Sequence, residues 1–253
     1  MSHVPRSILA LAVLAVTVPA GRSHAAGAQE TGKGFLFGPP SGSITLRGGW
    51  ALANARSDFF SFTTNQLTLD RRDFSSPTGD LDLAIRLGSR TDMVASVGLA
   101  GMAKTSEFRH YVDSLNQPIQ QTTRFTRVPV TIGVRQYLLA PGRSIGRFAW
   151  IPSRFAPYVG VGVGGMYYRF QQQGDFVDMQ TLAVFPSTYE SKGWAVTGYG
   201  RAGFDYSLNP LLALATEARY LAGNAALSSD FQGFGRLDLS GLSTTVGLTF
   251  RFF

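Results

Sequence analysis

Side chains able to carry chemistry are sparse in this 253-residue sequence. Beyond residue 28 the only histidine is His110, close in sequence to Glu107, Asp113 and Ser114. A histidine beside a serine or an acid is the minimum for nucleophilic hydrolysis, so a hydrolase reading would have to start there. The cluster falls in a long polar connection, where a lone histidine reads as a solvated surface residue, and no enzymatic activity is expected. The carboxylate pairs Asp70/Asp73 and Asp175/Asp178 fall short of the six or more oxygen ligands a calcium site needs. They read as loop charges. The run Gly160-Val161-Gly162-Val163-Gly164-Gly165 lacks the Lys-Ser/Thr ending and strand-to-helix setting of a phosphate loop. There is no cysteine, which removes disulfides and thiolate metal sites. No metal and no cofactor are expected.

The chain opens with Arg6, an apolar run from Ile8 to Val18, and the small residues Ala25-Ala26-Gly27-Ala28. This order describes a secretory signal peptide over residues 1–28, cut after Ala28 or alternatively after Ala26. The apolar run is too short to span a bilayer as a helix, which takes roughly 20 residues. Removing it takes away Arg6 and Arg22 and lowers the formal charge from +7 to +5. The remaining basic residues are dispersed rather than clustered, so no nucleic-acid partner is expected. Residues 29–42 then form a short N-terminal segment, and residues 43–253 one large β domain.

Alternation with a period of two runs through that domain. From Asp80 to Gly88, Leu81, Leu83, Ile85 and Leu87 share one face, while Asp82, Ala84, Arg86 and Gly88 share the other. Eight such segments are predicted, at about 43–55, 79–89, 93–106, 123–139, 157–170, 193–207, 211–222 and 239–253. Each is long enough for a tilted membrane strand of about 9–11 residues. Short turns at 89–92 and 208–210 alternate with long polar connections at 56–78, 107–122, 171–192 and 223–238. That asymmetry, with an even strand number, is the pattern of bacterial membrane barrels.

A soluble barrel would show the same period turned inside out, so the faces must be told apart. One face carries Trp50, Tyr167 and Trp194 near the long-loop ends and Phe204, Tyr206, Phe250 and Phe252 near the short-turn ends, as two interfacial girdles would. The other carries Arg47, Asp82, Arg86, Lys104, Arg135, Arg201, Asp205, Glu217, Arg219 and Arg251, with small residues between them. These ten are predicted to form an interior polar network. With seven basic residues against three acidic ones, one-to-one pairing is impossible. A tight turn at Asn209 would set Arg201 opposite Glu217 and predicts an interior ion pair.

Leu242, Thr244, Val246, Leu248, Phe250 and Phe252 alternate up to the end of the chain. This resembles the carboxy-terminal signal by which outer-membrane barrels are recognised by their assembly machinery, with Val246, Leu248, Phe250, Phe252 and Phe253 as the signal residues. In that pattern the last residue is in the apolar register, whereas here Phe252 fits it and Phe253 lies one beyond. The chain from Gly42 to Phe253 is similar to the small eight-stranded outer-membrane proteins of the OmpX, OmpW and OmpA-barrel types. The resemblance implies an all-β, eight-stranded antiparallel transmembrane barrel in the bacterial outer membrane. Its implied partners are outer-membrane lipids, lipopolysaccharide and the assembly machinery.

One connection does not fit a short turn. Ala140 to Ala156 combines Arg143, Arg147 and Arg154 with Phe148, Trp150, Ile151 and Phe155 and holds no acid. Arginines near lipid phosphates with aromatics in the headgroup boundary would make Arg143, Arg147, Trp150 and Arg154 an interfacial turn. An elongated turn packed under the barrel fits the same residues. Two functions remain open: a structural or surface-interaction barrel acting through its long loops, or a narrow passive conduit for small hydrophobic or anionic molecules.

Overall fold

A computed structural model of the chain describes residues 38–113, 115–145, 149–178 and 180–253. The proposed signal peptide, Arg147 and Phe148 lie outside the described residues.

Period-two alternation becomes a closed ring. Strands β1 (Gly42–Ala53), β2 (Ser76–Arg86), β3 (Thr91–Val112) and β4 (Pro118–Tyr137) follow one another as antiparallel neighbours. After a small hairpin of β5 (Gly142–Ile145) and β6 (Ala149–Pro152) come β7 (Phe155–Val177), β8 (Val184–Ser207), β9 (Leu212–Ala225), the two-residue β10 (Leu237–Asp238) and β11 (Gly241–Phe252). The ring runs β1-β2-β3-β4-β7-β8-β9-β11 and closes where β11 pairs with β1. Closure leaves no free edge along the barrel wall, the condition for a sheet to cross hydrocarbon.

Inward and outward positions sort as the alternation predicts. Leu46, Ile85, Ile132 and Val163 are exposed on the outer wall, while Arg47, Asp82, Arg135 and Arg201 are buried within it. Apolar outside and charged inside inverts a soluble barrel and suits lipid.

Three predicted boundaries change. The connections at 107–122 and 171–192 are mostly strand, because β3, β4, β7 and β8 continue beyond the barrel as paired hairpins; only residues 113–117 and 178–183 lie between them. The stretch 56–78 holds a helix, α1 (Asp58–Gln66), and a short 3-10 turn at Arg71–Phe74. Finally, Arg201 faces Arg219 and Glu217 faces Gly203. The turn is centred one residue later, at Pro210, and the Asn209 carboxamide oxygen accepts from the amides of both Leu211 and Leu212.

Candidate functional site

The inside of the barrel is built from inward positions of every strand, in three levels. At mid-height lies a lattice of charge. Asp82 on β2 accepts from Arg47 of β1 at 2.7 Å, Arg201 of β8 at 3.0 Å and Arg219 of β9 at 3.4 Å. Glu217 of β9 meets the same three guanidinium groups at 3.4, 3.5 and 2.8 Å and accepts from the Tyr158 hydroxyl at 3.0 Å. The predicted Arg201–Glu217 contact therefore exists as a diagonal within a five-residue lattice, not as a directly opposed pair.

Room for this lattice comes from the small inward residues. A Cβ on Gly162 would meet the Tyr199 ring at 2.5 Å, and one on Gly203 would meet the Tyr158 hydroxyl at 2.8 Å. Tyr199 in turn lies under Arg201 and Arg219, whose guanidinium carbons are 5.3 and 5.2 Å from the ring centre. Cation–ring contact supplements ion pairing where desolvation makes each charge expensive.

The short-turn end forms the second level. Arg135 donates to Asp92 at 2.7 Å, Arg86 pairs with the same carboxylate, and the Tyr137 hydroxyl donates to Asp205 at 2.7 Å. Arg251 donates to the Ser207 hydroxyl at 2.9 Å and stacks over Trp150. This corrects the reading of Trp150 as a lipid-interface residue. Its indole is 7% exposed, tucked against Gly142 and within 6.2 Å of the Phe253 ring, so it closes the lower mouth of the barrel. Arg143 and Arg154 stay exposed on the same connection. Phe252 faces outward across Gly42, and Phe253 turns to the inner side. A Cβ on Gly142 would come within 2.3 Å of the indole. Gly142→Val is expected to expel Trp150, seen as a red shift and stronger acrylamide quenching of tryptophan emission; unchanged emission would contradict this placement.

Lys104 is a second correction. It belongs to the part of β3 above the barrel, its side chain is half exposed, and it donates to Asp73 at 2.7 Å. Asp70 and Asp73, the first carboxylate pair, form a capping box around the 3-10 turn. Asp73 titrates below the ordinary carboxylate range despite some burial, held there by the Asp70 backbone amide and Lys104.

The third level, at the long-loop end, was not legible as a site. Helix α1 drops Phe59 and Phe60, both fully buried, into the upper mouth. Phe60 meets Phe74, Phe125 and Phe170 edge-on, with centroids 4.7–6.3 Å away; Phe59 meets Phe170, Phe231 and Phe234 at 4.8–5.3 Å. The amide of Gly235 donates to Asp58 at 2.9 Å and the Tyr168 hydroxyl donates to the Ala226 carbonyl at 2.6 Å, so the first and last long loops lock over the plug. Beside it is a 220 Å³ pocket with aromatic walls, among them Phe62, Phe176 and Tyr189.

Several interior residues were missed: inward parity marks Asp80, Arg127, Tyr137, Tyr158 and Tyr199, whereas Asp92 lies at a strand edge that reads as a turn. Seven arginines (Arg47, Arg86, Arg127, Arg135, Arg201, Arg219, Arg251) now face Asp80, Asp82, Asp92, Asp205 and Glu217. Among the described residues Arg127 and Arg251 have no carboxylate partner, and each lies over an aromatic ring, Phe125 at 5.1 Å and Trp150 at 5.5 Å. His110 is exposed on the outer extension of β3. Glu107 is engaged by Gln120, and Asp113 by the amides of Leu115 and Gln117. Ser114 lies outside the described residues. No group of three metal-ligating side chains occurs among the described residues.

On the outer wall, β8 runs from Trp194 to Tyr206 without a charged outward residue. The twelve rises between them extend about 40 Å along the strand, or ~30 Å at a tilt near 40°, which matches a hydrocarbon core with its interfaces. Trp194 packs at a tilt against Tyr167 at 5.7 Å at one border, and Phe204 packs on Phe155 at 5.1 Å at the other.

No family model matches the chain, and no curated protein matches its sequence. Among solved structures, Neisserial surface protein A is similar over 84% of this chain and 97% of its own, at 10% identity and a TM-score of 0.46. Ail of Yersinia pestis, solved in complex with the heparin analogue sucrose octasulfate, is similar over 84% and 99% at 13% identity and a TM-score of 0.38. The outer membrane protein AlkL is similar over 91% and 97% at 14% identity and a TM-score of 0.36. The chain's own closed ring, charged interior and uncharged outer band make it an eight-stranded antiparallel transmembrane β-barrel.

Proposed function

We propose that this barrel is a non-enzymatic membrane protein with a structural or surface-interaction role, acting through the hairpins and loops above the outer aromatic border. The observation that carries this reading is closure of the interior at three successive heights: the aromatic plug around Phe59 and Phe60, the Arg47-Asp82-Arg201-Glu217-Arg219 lattice, and Trp150 beneath. The cavity between plug and lattice, lined by Asp80 and Arg127 among others, holds only about 30 Å³, the room of a single water. A conduit for small hydrophobic or anionic molecules would have to disrupt all three levels, and breaking a buried ion lattice costs several kcal/mol per ion. Above the wall, the paired hairpins end in exposed apolar residues, Val112 and Leu115 on one and Leu182 on the other, a surface suited to contact with another molecule.

The partners proposed with this role are outer-membrane lipids, lipopolysaccharide, and the assembly machinery reading the Val246-Leu248-Phe250-Phe252 register. Reconstitution into planar bilayers is expected to give no steady single-channel current at moderate voltage. Reproducible anion-selective openings from the unmodified protein would overturn the filled-barrel reading in favour of the conduit.

A further inference from the structure

The outer wall is uncharged through the membrane band, and its first basic residues appear together. On β7 the outward positions are uncharged from Phe155 to Tyr167, and the next is Arg169. Opposite Arg169 on β8 is Lys192, the outward residue after Trp194. On β4, Thr126 is opposite Arg169, so Arg124 projects one outward step higher. Three neighbouring strands thus place a base within one or two outward steps of the Tyr167–Trp194 border. One such step is about 6.6 Å along the strand, and neighbouring strands are about 4.8 Å apart.

Charge around this patch is unbalanced. Glu190 accepts from Arg169 at 2.5 Å and from Lys192 at 2.7 Å. Those two bonds hold its carboxyl below the usual carboxylate range, so it is ionised at neutral pH. Arg124 donates to the neutral Gln173 side chain at 3.3 Å. The Arg169 and Lys192 side chains are 48% and 61% exposed. Three cations therefore face Glu190 and Asp230, whose carboxylate accepts from the Glu190 backbone amide at 3.0 Å, and remain in excess. The next outward acids, Glu107 and Asp175, lie farther toward the hairpin tips, beyond Thr122 and Gln173 respectively. On the opposite side of the barrel, Trp50 and its β11 partner Thr244 are followed by Leu52 and Leu242, with no base.

We propose that Arg124, Arg169 and Lys192 form a binding site for the phosphate groups of a lipid in the outer leaflet. Bases sit against the aromatic border where lipid phosphates lie, acids sit on the water side, and the arrangement occupies one sector of the rim. Guanidinium groups pair phosphate oxygens in a fork, and Trp194 and Tyr167 supply the apolar floor for the adjoining acyl chain. The site deepens the lipopolysaccharide partnership above and rests on the same membrane placement.

Trp194 is a built-in reporter. In a Trp50→Phe background it is the lipid-exposed indole, since Trp150 is buried. The protein is reconstituted in phosphatidylcholine vesicles containing one-tenth of either phosphatidylglycerol or phosphatidylcholine brominated near the headgroup. Brominated phosphatidylglycerol is expected to quench Trp194 several-fold more than brominated phosphatidylcholine. In Arg124→Gln/Arg169→Gln/Lys192→Gln that preference should fall to nearly equal quenching, since each base near an anionic surface contributes roughly a fivefold preference. Circular dichroism of the variant is expected to keep the parent β signal.

Equal quenching by the two lipids in the parent would overturn the site, as would a preference that survives the triple variant. Loss of the preference on adding inorganic phosphate at constant ionic strength would assign the patch to a free anion and overturn the lipid assignment. Failure of brominated phosphatidylcholine to quench at all would instead refute the membrane placement on which the site depends.

Discussion

Asp82→Asn is expected to lower the stability of the folded barrel by about 3–5 kcal/mol, the usual cost of removing one partner from a buried ion cluster. Asp82 is 1% exposed and receives Arg47, Arg201 and Arg219. An amide in its place leaves three buried guanidinium groups to share Glu217, with Asp80 3.7 Å from Arg219 as the remaining carboxylate, where burial weakens the screening of their repulsion. Reversible urea unfolding from lipid vesicles, followed by tryptophan emission, measures the loss. A second substitution makes the cause separable: Arg201→Met should cost clearly less in the Asp82→Asn background than alone, because it then removes an uncompensated charge. Coupling of at least about 1 kcal/mol is expected within one network. Strictly additive costs would mean that the lattice does not act as a unit. Lys104→Gln serves as the contrast, since its half-exposed pair with Asp73 falls in the class contributing at most about 1 kcal/mol.

Phe60→Ala should act on the plug and spare the wall. The ring is fully buried against Phe74, Phe125 and Phe170, and truncating such a phenylalanine costs about 3–5 kcal/mol. Helix α1 has only nine residues, and its burial rests mainly on Phe59, Phe60 and Thr63, so it has little else to hold it. Backbone amides of residues 54–75 should exchange with solvent 100-fold faster or more, by an estimate of at least 3 kcal/mol lost locally. The strands should keep their protection, because their ladder bonds run around the closed ring and do not pass through α1. Parent-like exchange in 54–75 would show that the plug is held by the loop tethers Asp58–Gly235 and Thr68–Glu107 rather than by aromatic packing.

How far the sequence alone reaches depends on the range of the signal. Alternation is local: Leu81, Leu83 and Ile85 lie on the opposite face to Asp82 and Arg86 in any extended strand, whatever surrounds them. The eight strands, their order and the inward identity of Arg47, Arg135, Arg201 and Arg219 follow from that. Asp80 and Arg127 could have been read by the same parity. Asp92 could not, because it lies at the edge of what looked like a turn. Lys104 has inward parity too, but parity carries no height, and β3 extends past the barrel into the hairpin.

The plug and the floor are another matter. The helix sequence Asp-Phe-Phe-Ser-Phe-Thr-Thr-Asn-Gln is poor in strong helix formers, and nothing local distinguishes it from a polar loop with three phenylalanines. It is helical because the barrel mouth offers Phe125, Phe170 and Phe231 to bury Phe59 and Phe60. Trp150 between arginines reads equally as an interfacial anchor or as packing, and its place under Arg251 depends on a strand end one hundred residues later. The sequence by itself determined that this chain closes into a barrel with charge inside and hydrocarbon-compatible residues outside, since a two-residue period needs no partner to be read. Only the tertiary structure decided that the interior is stoppered at both ends and which rim sector gathers the bases, because those facts arise from contacts between residues far apart along the chain.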